Sequence, residues 1–242
     1  MEYIHNTEQF QFHNTVVALG KFDGMHKGHQ LIFDELIQYK QLEYQAAVFS
    51  FDRPPLNMLK HKHMRVIYTT NEKIKLLARR GIDIYIEHPF TDEFSHLSPE
   101  DFVIKVLLEK TGMKVLVVGD DCGFGYKRQG NVELLERMSK EYDFKLIVIP
   151  KLELEGEIVS STRIRCLLSE GKVEEANRLM EDPFMICGSV VHGNHMGAEV
   201  LQMPTANQIP LEDKLLPPNG VYVSRIHYKD ETYYGISNVG VK

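Results

Sequence analysis

Thr15-Val16-Val17-Ala18-Leu19-Gly20-Lys21-Phe22-Asp23-Gly24-Met25-His26-Lys27-Gly28-His29 is the stretch whose reading decides the fold. TVVALG (residues 15–20) is apolar on both alternating faces, the pattern of a strand buried on both sides. A helix is expected over residues 26–41, where Leu31, Ile32, Leu36 and Tyr39 recur on one side. Buried strand, glycine turn and amphipathic helix together open an α/β parallel sheet. Such sheets bind ligands beyond the carboxyl ends of their strands, which is where residues 20–29 fall. Gly20 and Gly24 let the backbone come close to a phosphate, and the helix start offers unpaired N–H groups. His26 and His29 are three residues apart, so one face of the first turn carries both imidazoles. They can donate to phosphate oxygens, and Gly28 between them leaves room for a nucleotide.

Working outward, strands are expected at residues 45–51, 82–87, 114–119 and 144–150, alternating with helices at 71–80, 98–110 and 131–142. Gly81 marks a helix stop, and Ser98 with Pro99 marks a helix start. Short helices follow at residues 162–170 and 173–180. The alternation implies a parallel sheet with helices on both faces, without specifying strand order. At Glu181-Asp182-Pro183 the pattern changes, and residues 184–192, 220–228 and 232–239 read as strands between Gly-, Pro- and Asn-rich turns. The organisation read here is therefore an α/β domain over 1–182 and a smaller β domain over 183–242.

Composition narrows the function class. Of the 242 residues, 43% are apolar and 26% charged, the profile of a folded globular chain. The net charge of −6, without a basic stripe, argues against nucleic-acid and membrane-surface partners. Cys122, Cys166 and Cys187 have no CxxC spacing, so neither a disulfide framework nor a zinc site is expected. With no signal-peptide pattern at the start and no long apolar run, the location expected is cytoplasmic.

Three further segments carry chemistry. Val159-Ser160-Ser161-Thr162-Arg163-Ile164-Arg165 opens a helix in which Ser161 or Thr162 is expected to cap, with Arg165 on the same face as Thr162. Hydroxyls, helix N–H groups and a guanidinium together suit a triphosphate. Val118-Gly119-Asp120-Asp121-Cys122-Gly123-Phe124-Gly125-Tyr126-Lys127-Arg128-Gln129-Gly130-Asn131 follows the strand at 114–119 as a loop closing on a helix cap. Ser50-Phe51-Asp52-Arg53-Pro54-Pro55 ends the strand at 45–51 as a proline-broken strand end.

In order, these segments resemble the prokaryotic riboflavin kinase/FAD synthetase family of the HxGH nucleotidyltransferase superfamily. GKFDGMHKGH resembles its signature, and STRIR its STxxR motif. The 119–130 loop resembles its flavin loop, G-x-(D/N)-F-R-F-G: Gly119, Asp121, Phe124 and Gly125 match, while Cys122 and Gly123 replace Phe and Arg. The resemblance implies a Rossmann-like nucleotidyltransferase domain that joins the adenylyl group of ATP to FMN, giving FAD. It implies His26, His29 and Arg165 as catalytic residues, and Gly20, Phe22, Asp23, Gly24, Ser161 and Thr162 around ATP, with Lys21 as an extra cation. Asp121 would accept from the flavin edge, and Phe124 and Pro55 would give it apolar surface. Mg²⁺ is the expected cofactor, and ATP and FMN are the small-molecule partners. Against this stand two other readings: an HxGH transferase with a pantetheine-phosphate or cytidylyl acceptor, or a flavin-binding regulator without turnover.

The second domain resembles the family's riboflavin kinase barrel through residues 184–193, Pro204-Thr205-Ala206-Asn207 and Pro217-Pro218-Asn219-Gly220-Val221-Tyr222. Thr205 and Asn207, two apart on extended chain, would face Mg²⁺ and phosphate together. The approach to Pro204 lacks the family's Arg and second Gly. About three strands do not close a barrel, so an incomplete, β-barrel-like domain without kinase activity is expected. A bifunctional riboflavin kinase/FAD synthetase is the alternative if more chain follows.

Overall fold

The structure, a computed structural model, describes residues 1–52, 65–191 and 205–240. Six strands form one wholly parallel sheet: β1 (Glu2–His5), β2 (Thr15–Leu19), β3 (Gln45–Phe51), β4 (Ile84–His88), β5 (Met113–Gly119) and β6 (Lys145–Ile149). Their order is β1-β4-β3-β2-β5-β6. From β2 the chain steps to β3 and β4 on one side, then returns to β5 and β6 on the other. The crevice of the fold therefore lies where β2 and β5 diverge, and the loops after these two strands border it.

The period of two seen in the sequence sorts the core. Val16, Ala18, Ala46, Val48, Tyr85, Val115 and Val117 pack on one face of the sheet, against helices α1 (Lys27–Lys40), α2 (Thr70–Arg80), α4 (Ser161–Ser169) and α5 (Val173–Leu179). Val17, Leu19, Ala47, Phe49, Ile84, Ile86, Leu116 and Val118 face the other way, against residues 99–108 and α3 (Val132–Glu141). Thr69 and Glu72 form a reciprocal capping box on α2, and Gly81 ends it in the left-handed conformation.

Four sequence expectations change. The N-terminal Glu2–His5, read as no element, pairs with β4 as an edge strand. The 98–110 helix starts at Ser98 as expected but winds as a π-helix over Phe102–Leu108, with Glu109 N–H donating to Ile104 O. That wider turn gathers Phe102, Val103, Val106 and Leu107 onto one buried face. Ser160, rather than Ser161 or Thr162, caps α4 by accepting from Arg163 N–H. Of residues 184–192, expected as one strand, the described ones (184–191) form a strand only at Val190–Val191, paired with Asn207–Gln208. The preceding Phe184 and Met185 pack instead on the first core.

The last described segment is an antiparallel hairpin, Gly220–Tyr228 with Glu231–Val239. Among the described residues no helix is long and apolar enough to cross a membrane.

Candidate active site

The turn after β2 is held in an unusual shape by what it buries. Phe22, Gly24 and Met25 all have positive φ, at 48°, 81° and 37°. For Phe and Met this conformation carries a strain of order 1–3 kcal/mol, which surrounding packing must hold in place. The packing is present: both side chains are almost wholly buried. Phe22 meets Phe33 at 5.0 Å and the His29 ring edge-on at 5.2 Å. Phe22 thus acts on the site through His29, as a wall behind the ring.

His26 is the N-cap of α1, its Nδ1 accepting from His29 N–H at 3.3 Å. An acceptor Nδ1 places the proton on Nε2, so the free side of the ring is a donor. The two imidazoles stack with centroids 3.6 Å apart. Burial lowers the pKa of His26 to about 4. Burial, followed by the neighbouring His26, puts His29 well below the ordinary range. Both rings are neutral at pH 7. The buried Nδ1 of His29 has no partner among the described residues.

A stability consequence follows with a definite sign. The unfolded chain binds protons at histidines near pH 6.5 that the folded chain refuses until about pH 4. Stability is therefore expected to fall as pH drops through that window, by up to about 3 kcal/mol for His26. Urea unfolding at stepped pH checks this, and His26→Gln should flatten the profile. Equal slopes in the two proteins would refute it.

Gly28 meets a steric requirement. A Cβ there would stand 3.2 Å from His26 Nδ1 and 3.3 Å from its Cε1. Gly28→Ala is expected to push the ring by a few tenths of an ångström and lower kcat/KM about tenfold, with little change in Tm. Wild-type kinetics would show that the ring's position is not critical.

Asp23 joins the first motif to the last. Its Oδ1 accepts from Ile67 N–H and Tyr68 N–H at 3.0 and 3.1 Å, and its Oδ2 pairs with Arg165. Ser161 donates its hydroxyl to Asp23 O at 2.5 Å, and Arg165 also donates to Arg65 O. The turn after β2 and the start of α4, about 140 residues apart in sequence, are thereby one unit. Thr162 is exposed on the first turn of α4.

The 119–130 loop borders the same crevice. Asp121 lies within electrostatic range of His26 and pairs with Lys151 at 3.2 Å. Phe124, expected to give the flavin apolar surface, is 6% exposed, packs on Phe102 and covers Gly130. Backbone bonds between Phe124 and Gly130 in both directions close the loop over this anchor. Pro55, with Arg53 and Pro54, lies outside the described residues.

Arg128 is a functional candidate that the sequence reading passed over. Its guanidinium lies over Gly123, where a Cβ would be 2.8 Å from Nε. Desolvation, then the charges of Arg128 and Arg165, lower the pKa of Lys21. Lys21 thus lies within electrostatic range of both Arg128 and Arg165. The replacement of the family's Arg by Gly123 was the available signal: removing that side chain leaves space for another.

In the second segment, Thr205 is exposed and Asn207 pairs with Val191, while Pro204 lies outside the described residues. Among the described residues no group of three or more His, Cys, Asp or Glu side chains is arranged to hold a metal.

The FAD synthetase family matches residues 8–163, and the riboflavin kinase family matches 180–242. A bifunctional riboflavin kinase/FMN adenylyltransferase of Buchnera aphidicola subsp. Schizaphis graminum is 38% identical over 99% of this chain and 77% of its own length. The protein of the same name from Escherichia coli K12 is 31% identical over 99% of this chain and 77% of its own. A crystal structure described as a macrolide-efflux protein from Streptococcus pneumoniae superposes with a TM-score of 0.86 at 30% identity, covering 98% of this chain and 78% of that one. With more than half of its length matched by one family and residues 180–242 by the other, the chain belongs to the bifunctional riboflavin kinase/FMN adenylyltransferases, its parallel-sheet domain being the FAD synthetase part.

Proposed function

We propose that the crevice between β2 and β5 transfers the adenylyl group of ATP to the phosphate of FMN, forming FAD and pyrophosphate. The observation that carries this reading is the joining of the two phosphate-facing motifs through Asp23 and Arg165, with the 119–130 loop on the opposite rim. An FMN phosphate oxygen attacks the α-phosphorus in line. A new P–O bond forms, and the bond to the β-phosphate oxygen breaks. The acceptor phosphate is already ionised near neutral pH, so positioning and charge stabilisation suffice without a general base. The neutral N–H groups of His26 and His29 meet the developing charge on the α-phosphate. Arg165, Ser161, Thr162 and Lys21 hold the departing β- and γ-phosphates, with the Gly20–Gly24 turn against the nucleotide. Asp121 accepts from the flavin edge, and Phe124 fixes the loop that carries it.

The donors at this edge suit anions better than a bare cation. Asp23 is committed to Arg165, and Asp121 to Lys151. Mg²⁺ would accordingly enter on the triphosphate oxygens, where it supplies charge neutralisation. Incubation with FMN, ATP and Mg²⁺ followed by chromatography tests the reading, and absence of FAD would end it.

The riboflavin kinase match over 180–242 favours a second reaction, phosphorylation of riboflavin, with Thr205 and Asn207 as candidate phosphate and Mg²⁺ ligands. Riboflavin supplied in place of FMN tests it directly. FMN formation that survives in His29→Ala would separate the two activities.

A further inference from the structure

Lys214 lies in the segment matched by the riboflavin kinase family, yet its side chain is buried inside the first domain. The ammonium donates to Glu72 Oε2 at 2.7 Å, Ile67 O at 2.6 Å and Met185 O at 2.6 Å, so all three of its N–H bonds are used. It also sits over the rings of Phe184 and Tyr68, at 4.5 and 5.1 Å. Glu72 spends its other oxygen on Cys187 N–H at 2.7 Å. Backbone pairing reinforces the contact: Val66 N–H donates to Asp213 O, and Leu215 N–H donates to Val66 O.

The segment gripped in this way is the one that holds Asp23. Ile67 gives its carbonyl to Lys214 and its N–H to Asp23, while Tyr68 N–H donates to the same carboxylate oxygen. The other oxygen of Asp23 fixes Arg165. From Lys214 through residues 66–68 to Asp23 and Arg165, every link is a hydrogen bond or ion pair of the folded chain.

We propose that Lys214 is a positioning residue for adenylyl transfer, a buried strut from the second segment that sets Arg165 for the ATP phosphates through residues 66–68 and Asp23. This rests on the reading of Arg165 as a phosphate ligand. The buried pair has the character of a specifying contact: breaking one partner leaves an orphan charge, whereas removing both charges is tolerated far better. It makes the FAD-forming site dependent on a side chain outside its own domain.

The test compares the full chain with Lys214→Met, and with Glu72→Gln/Lys214→Met, which leaves no orphan carboxylate should the single variant fail to fold. FAD formation gives separate KM values for ATP and FMN, and a fluorescent, non-hydrolysable ATP analogue with Mg²⁺ gives nucleotide affinity without turnover. The expected result is a rise of about tenfold in KM for ATP and in analogue Kd, with KM for FMN unchanged. The same substitution in an Arg165→Ala background should add almost nothing, because the two act as one unit. A fall in kcat alone at unchanged KM would mean that Lys214 only stabilises the fold, and would overturn the proposal. So would wild-type values in both assays. If the wild-type chain binds the analogue but makes no FAD, the adenylyl-transfer reading fails while the affinity comparison still decides the role of Lys214.

Discussion

His29→Ala is expected to lower kcat for FAD formation about 10²–10³-fold, the usual cost of losing one preorganised donor at a developing oxyanion. The ring is fixed before substrate arrives. It stacks on His26 at 3.6 Å and is backed by Phe22 at 5.2 Å. A preorganised neutral donor spends no reorganisation when charge develops on the α-phosphate, so its loss falls on the chemical step. KM for ATP should change much less than kcat. His29→Asn, which keeps a side-chain N–H of different reach, should recover part of the rate. Near-normal turnover in His29→Ala would remove His29 from the chemistry.

Asp23→Ala should be nearly as damaging, for a different reason. Its carboxylate accepts two backbone N–H groups and holds the Arg165 guanidinium. Truncation leaves two amides without their acceptor and a partly buried cation without its partner, at about 2–4 kcal/mol. Arg165, released from Asp23, should bind triphosphate poorly, lowering kcat/KM for ATP about 10²-fold. Asp23→Asn separates the two effects: an amide oxygen still accepts from Ile67 and Tyr68 but cannot pair with Arg165. Stability should return largely to wild type in Asp23→Asn while kcat/KM stays low. Full activity in Asp23→Asn would show that the ion pair does not set the arginine. Denaturant midpoints and initial rates on the same preparations give both readings.

How much of this was legible in advance depends on the range of the interaction concerned. The strands at 15–19, 45–51 and 113–119 and the helices capped by His26, Thr69 and Asn131 lie close to where periodicity and turn residues put them. Those signals are local, acting within one turn or one pleat. Glu2–His5 escaped because EYIH alternates too briefly, and its pairing with β4 is settled by an edge some 80 residues away. Residues 184–189 looked like a strand because Phe184, Met185 and Ile186 are apolar. Phe184 and Met185 are apolar because they pack on the first domain's core. The capping serine of α4 was misplaced by one residue, since Ser160 and Ser161 have the same chemistry and only the contact with Asp23 O distinguishes them.

The chemistry of the site divides the same way. The sequence by itself determined that a strand, a glycine turn and two helix-face imidazoles would meet a phosphate, because all of these lie within fifteen residues of chain. It also determined, through motif order, which family the chain resembles. Only the tertiary structure decided that β5 lies beside β2, so that the 119–130 loop faces the histidines. It alone decided that Asp23 holds Arg165, that Phe124 turns inward, and that Lys214 reaches back to Glu72. Partners more than a hundred residues apart leave no periodic trace, because charge pairing and packing depend on distance in space rather than along the chain.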